Sequence, residues 1–224
     1  MITTKEDVFQ VMGEYYGNAY YRSALKLGIS ESDLITTVQI LNQINALGYH
    51  FSNLHRLLDH EDIRFLPIIL DYIDRYENPG YKAELIHAFH CRSYSPFTPN
   101  LISLYRQPAY KNLQFEISNA LYDIRSKKYI SLYLGIVEQP GYGTKPDLIM
   151  EILCKFKVKE CLPLLLNLLD HYPEVWRVTF LKYAYCFDPD LILPHIELFL
   201  DSSDKDIRLM ANKAYFKLMD KKGG

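Results

Sequence analysis

The sequence predicts an all-α protein built as a solenoid of stacked helical hairpins. Three observations lead to that class. Apolar stretches of helical length recur at a period of roughly 32 residues, several of them opening on proline. Their apolar residues fall three and four positions apart, as a buried helical stripe requires. The alternating apolar–polar runs and hairpin dipeptides of a β-protein do not compete with this pattern.

The N-terminal part keeps the period poorly. Helices are expected near 4–16 and, in a tyrosine-rich stretch, near 18–27. A longer helix is expected over 31–47, with Ser30 and Asp33 forming a capping start and Gly48 a stop. A short helix near 52–59 follows. Residues 1–60 therefore read as a divergent helical cap, continuous with an array of about five helix pairs over 61–224.

The array is marked twice over. "FLPIILDYIDRY", "FTPNLISLYRQ", "CLPLLLNLLDH" and "LILPHIELFLD" each begin an apolar helix at Pro67, Pro99, Pro163 and Pro194, separated by 32, 64 and 31 residues. Proline suits a first helical turn, where its missing N–H would have had no intrahelical partner. The double gap holds "KYISLYLGIVEQ", with Ile130 where a proline is expected. Second helices close at Ile124, Phe156, Phe187 and Leu218, again separated by 32, 31 and 31 residues. These markers set pairs at 62–92, 96–124, 128–156, 160–187 and 191–218. One such pair cannot bury its apolar side alone, whereas stacked pairs share a continuous core.

"LPLLLNLLDHYPEVWR" supplies Pro163, Asp170, Pro173, Glu174, Val175 and Arg177, and "LPHIELFLDSSDKDIRLMANKAY" supplies Pro194, Asp201, Asp206, Ile207, Arg208, Ala211 and Ala214. Both resemble HEAT repeats of the short bacterial type, most clearly over 160–218. The resemblance implies a right-handed superhelix of the HEAT and armadillo kind. It also implies proline-bearing helices on the convex side, Val/Ile-Arg helices on the concave side, and an aspartate–arginine ladder pairing Asp170 with Arg177 and Asp201 with Arg208. Proteins of this fold act mostly as binding scaffolds.

Catalytic motifs are not found. The sequence has no HExxH, Walker loop, GxSxG elbow or dinucleotide-binding fingerprint, so no catalytic, cofactor-binding or metal-binding residue is assigned. His87, His90 and Cys91 have helical i, i+3, i+4 spacing, but no second motif supplies a fourth metal ligand. His50, His55 and His60 are five residues apart and spread around a helix. In "EQPGYGTKPD", Gly141 and Gly143 precede Lys145, yet Pro146 stands where a phosphate loop needs Ser or Thr. That stretch reads as a corner between helices. Cys91, Cys154, Cys161 and Cys186 form no CxxC pair, as expected for free thiols in a reducing compartment. With no signal-peptide pattern at the start and no apolar run of spanning length, the chain is expected in the cytoplasm, without a membrane contact.

The function expected is therefore binding, without catalysis or cofactor. A net charge of −2 gives no global pull towards nucleic acid. Nineteen tyrosines, many outside core positions, favour a protein partner, because tyrosine buries a rigid ring while its hydroxyl stays paired. The candidate contacts are Tyr81, Tyr110, Tyr142 and Tyr172, each placed between two helices at separations of 29, 32 and 30, together with Trp176. Asp71, Asp74, Glu77, Glu138, Glu197 and Asp201 make the first helices acidic, which fits a basic partner. An immunity protein against a basic toxin, or an adaptor, follows from this reading. The alternative is a DNA-binding or DNA glycosylase-type protein using Trp176, Tyr183 and Tyr185 beside the lysines of the second helices.

Overall fold

The computed structural model describes residues 29–138 and 147–223, and every regular element among them is helical. The expected helices near 4–16 and 18–27, and the "QPGYGTKP" corner with Tyr142, lie outside the described residues. The chain divides into two compact units, one ending at Ile124 and the other beginning at Arg125.

In the first unit, α1 spans Glu31–Asn45, α2 Leu66–Tyr72, α3 Pro79–His87, α4 Thr98–Arg106 and α5 Gln114–Ile124. Short 3₁₀ turns at Leu54–Asp59, Arg92–Phe97 and Pro108–Leu113 join them. The Ser30 hydroxyl accepts from the Asp33 N–H at 3.0 Å and so caps α1, as the sequence predicts. Beyond its other end, Gly48 adopts φ +99°, a left-handed conformation in which a Cβ would be strained. α1 packs on α2, α3 on α5 and α4 on α5. Val38, Leu41, Phe65, Ile69, Leu85, Phe89, Leu101 and Leu121 fill this unit's core. Each contributes about 1.5–3 kcal/mol through removal from water.

In the second unit, α6 spans Ile130–Val137, α7 Asp147–Lys155, α8 Cys161–His171, α9 Pro173–Tyr183, α10 Pro189–Glu197 and α11 Lys205–Gly223. Successive helices pack as the pairs α6/α7, α8/α9 and α10/α11. The second helices of these pairs also pack side by side, α7 on α9 and α9 on α11. Ile149, Leu153, Leu165, Phe180, Ile192 and Leu218 are buried between them.

The proline markers hold with one exception. Pro67 and Pro99 open α2 and α4, and Pro163 lies in the first turn of α8. Pro194 instead stands inside α10, which begins five residues earlier at Pro189. The Asp188 carboxylate accepts from the Asp190 N–H at 3.0 Å, and this cap with Pro189 starts the helix sooner than Pro194 would. No helix of the described residues is long and apolar enough to cross a membrane.

A polar tether closes the first unit. Asp33, 1% exposed, accepts from the Glu77 N–H at 2.7 Å and the Asn78 N–H at 3.1 Å, just ahead of α3. Beside it the Tyr76 hydroxyl donates to Thr37 Oγ1 at 3.1 Å. Asp33→Ala orphans both N–H groups and is expected to lower the unfolding free energy by about 2–3 kcal/mol in urea denaturation. Asp33→Asn, which keeps one acceptor, is expected to lose less. Equal stability of Asp33→Ala and wild type would contradict the tether.

Candidate functional site

The structure separates the residues expected to contact a partner. Tyr81 lies in the first turn of α3, half-buried, its ring 5.2 Å from that of Tyr76. The Pro79-Gly80-Tyr81 stretch is thus helical rather than a corner, because the Asn78 side chain caps it by accepting from the Gly80 N–H at 2.8 Å. Tyr110 is fully buried in the turn between α4 and α5 and donates its hydroxyl to Asp74 at 2.5 Å. Burial and that carboxylate raise its hydroxyl pKa above the ordinary tyrosine range. Tyr172, the one residue between α8 and α9, is 61% exposed and borders a surface cavity of about 210 Å³ with His171, Leu168 and Glu138. Trp176 is only 3% exposed on the inner face of α9. Tyr110 and Trp176 are therefore core residues, out of a partner's reach, and of the described candidates Tyr172 presents the large exposed ring. Tyr142 lies outside the described residues.

Other sequence patterns resolve into structural roles. Helix α3 ends at His87, so His90 and Cys91 do not share a helical face with it. His90 instead bonds the Ala88 carbonyl through Nδ1 at 3.1 Å, and the Cys91 thiol donates to Glu61 at 3.0 Å. Cys154, Cys161 and Cys186 are buried free thiols, the first two with sulfurs 4.0 Å apart. The thiol of Cys161 and burial raise the pKa of Cys154. The expected ladder takes a different form. Arg177 pairs with Glu174 at 3.0 Å and with Asp204 at 3.3 Å, reaching forward to the start of α11 rather than back to Asp170. Asp204 also accepts from the N–H groups of Asp206 and Ile207, so it caps α11 and ties it to α9. Arg208 donates to the Ser202 carbonyl at 2.5 Å instead of pairing with Asp201.

Three features of the second unit escape the sequence reading. First, Glu151 on α7, 8% exposed, accepts from Lys182 Nζ at 3.0 Å and from the Tyr183 hydroxyl at 2.5 Å, both on α9. Second, α9 and α11 enclose a groove of about 140 Å³. Leu181 and Ala214 are its buried floor, and Lys182, Lys213 and Lys217 are exposed on its walls with Tyr185 and Met210 between. Third, α11 is apolar on two sides. It buries Ile207, Ala211, Ala214 and Leu218, while Leu209, Phe216 and Met219 are 51, 64 and 42% exposed on the far side. A helical projection of "DIRLMANKAYFKLMD" shows those two stripes. By contrast, the Glu151–Lys182–Tyr183 cluster joins residues over thirty positions apart and has no sequence signature.

Chemically, the cluster is a neutralised buried charge and the groove is a cationic surface with an apolar floor. Glu151→Ala removes the acceptor shared by Lys182 and the buried Tyr183 hydroxyl. It is expected to cost about 1–3 kcal/mol in denaturant melts, and Glu151→Gln less. Tyr110→Ala, which empties a core site, is expected to cost about 3–5 kcal/mol, against less than about 0.5 kcal/mol for Tyr172→Ala. Equal effects of the two tyrosine substitutions would contradict their placement. In comparisons with known proteins, no family model, no curated protein and no solved structure matches this chain.

Proposed function

We propose that the chain is a non-catalytic helical-repeat scaffold that binds a protein partner, as an immunity or adaptor protein does. The observation that carries this reading is the second apolar face of α11. Its inner stripe already meets α9 and α10, while Leu209, Phe216 and Met219 remain 51, 64 and 42% exposed on the other side. A cluster of large apolar side chains left in water there suits a surface that another protein covers. Val178 and Tyr185, 46 and 41% exposed, add apolar surface on and just after the neighbouring helix.

The charge around this surface points to a different partner from the one expected from the sequence. Carboxylates such as Asp71, Glu77, Glu138 and Glu197 are exposed on or beside first helices, as a basic partner would require. Asp74, however, is occupied by Tyr110. The apolar stripe of α11 is bordered instead by Lys205, Lys213 and Lys217, against Asp206 and Asp220. This balance favours a partner that brings acidic groups to α11. The DNA glycosylase-type alternative finds less support. Trp176 is in the core, and the Glu151 carboxylate is held by Lys182 and Tyr183 rather than free for catalysis.

The test is affinity capture from native lysate with wild type and with the exposed-site variants Leu209→Glu and Phe216→Glu, each first shown to keep its helicity and melting behaviour. A specific protein retained by wild type and lost by both variants is the expected result. No specific protein, or one retained equally by the variants, overturns the reading. Self-association of the purified chain that the same variants abolish assigns the face to a second copy and overturns it as well.

A further inference from the structure

The groove between α9 and α11 combines an apolar floor with three lysines, two of which have no carboxylate partner among the described residues. Leu181 and Lys182 come from α9, Tyr185 from the turn after it, and Met210, Lys213, Ala214 and Lys217 from α11. The α11 residues are spaced i, i+3, i+4, i+7, so the wall they form runs two helical turns, about 10 Å.

The three lysines are not equivalent. Lys182 is paired with Glu151 at 3.0 Å. Lys217 lies 4.8 Å from the Tyr185 ring centroid, a cation–π contact that orients the ammonium without neutralising it. Lys213 has no hydrogen bond, ion pair or ring contact among the described residues, although it is flanked by Leu209 and Phe216 at i−4 and i+3. Two positive charges thus stand uncompensated on the rim of an apolar trough. Their methylene stems contribute apolar wall, and the flexible Met210 adapts its shape to what fills it.

Resting on the protein-partner reading, we infer that this groove docks an acidic segment of the partner, its apolar side chains on Leu181, Met210 and Ala214 and its carboxylates on Lys213 and Lys217. Charge complementarity selects this occupant. A basic segment meets two unpaired lysines, and an uncharged one leaves them unused. A nucleic-acid backbone finds too short a track, because the groove offers only two unpaired lysines, one helical turn apart. The apolar floor also has no use for a phosphodiester chain.

The experiment is fluorescence anisotropy with the full chain and a labelled amphipathic peptide of about five helical turns, leucine on one face and glutamate on the other. Three comparison probes are polyglutamate of equal charge, the same peptide with lysine replacing glutamate, and a single-stranded oligonucleotide. The acidic amphipathic peptide is expected to bind best and to weaken as salt is raised. The variant carrying Lys213→Glu and Lys217→Glu, both at exposed positions, is expected to lose affinity by about tenfold or more, and Met210→Glu to lose it too. The inference is overturned if the acidic peptide fails to bind or binds the variants equally well. It is also overturned if polyglutamate or the lysine peptide matches the acidic peptide, or if the oligonucleotide binds in preference. Loss of the peptide with continued lysate capture through Leu209 and Phe216 sinks the groove inference only. Loss of both removes the protein-partner reading with it.

Discussion

The second unit turns on the burial of the Glu151 carboxylate. A charge held 8% exposed is tolerable only when donors replace the water it has lost. Lys182 and Tyr183 supply them from adjacent positions on α9, so α7 and α9 lock together in a single register. A slide of one helix past the other by a single residue would leave a buried charge without its partners. The same contact holds the root of Lys182 at the wall of the groove, where an unpaired lysine would otherwise sample many rotamers. Packing of α7 on α9, and of α9 on α11, then carries that register outward to the last helix.

Arg177 performs the next step in the same unit. It leaves α9 to meet Asp204, and Asp204 in turn satisfies the first N–H groups of α11. One side chain therefore both starts α11 and places it against α9. These polar links outline the groove, and its depth comes from small and buried residues, Ala214 and Leu181, between longer lysines. The apolar outer stripe of α11 is a by-product of neither link. Its large apolar side chains remain substantially exposed, and for that reason it supports a role in association.

Much of the helical organisation was legible because its signals are local. Ser30 and Gly48 bound α1 through capping and left-handed backbone, and proline starts α2 and α4, effects that act within one turn. Pro194 misled for the same reason. Its ring is compatible with a helix start, but a stronger local start, Asp188 with Pro189, lies just upstream. The site was much less legible. Tyr81, Tyr110 and Tyr172 share a spacing and a neighbouring proline, yet one is half-buried, one fully buried and one exposed. Their burial depends on what packs across from them, such as Asp74 above Tyr110, and spacing along the chain carries no trace of that.

By itself, the sequence determined that the chain is helical, roughly where the helices start and stop, and which apolar stripes must be covered. Those properties follow from backbone geometry and side-chain periodicity over a few residues. Only the tertiary structure decided which tyrosines belong to the core, that Arg177 reaches Asp204 rather than Asp170, and that Glu151 meets Lys182 and Tyr183. It also decided that Lys213 and Lys217 stand unpaired over an apolar floor. Each of these outcomes depends on distances between residues remote in the chain. Charge compensation and burial are set by such distances, not by the order of the residues.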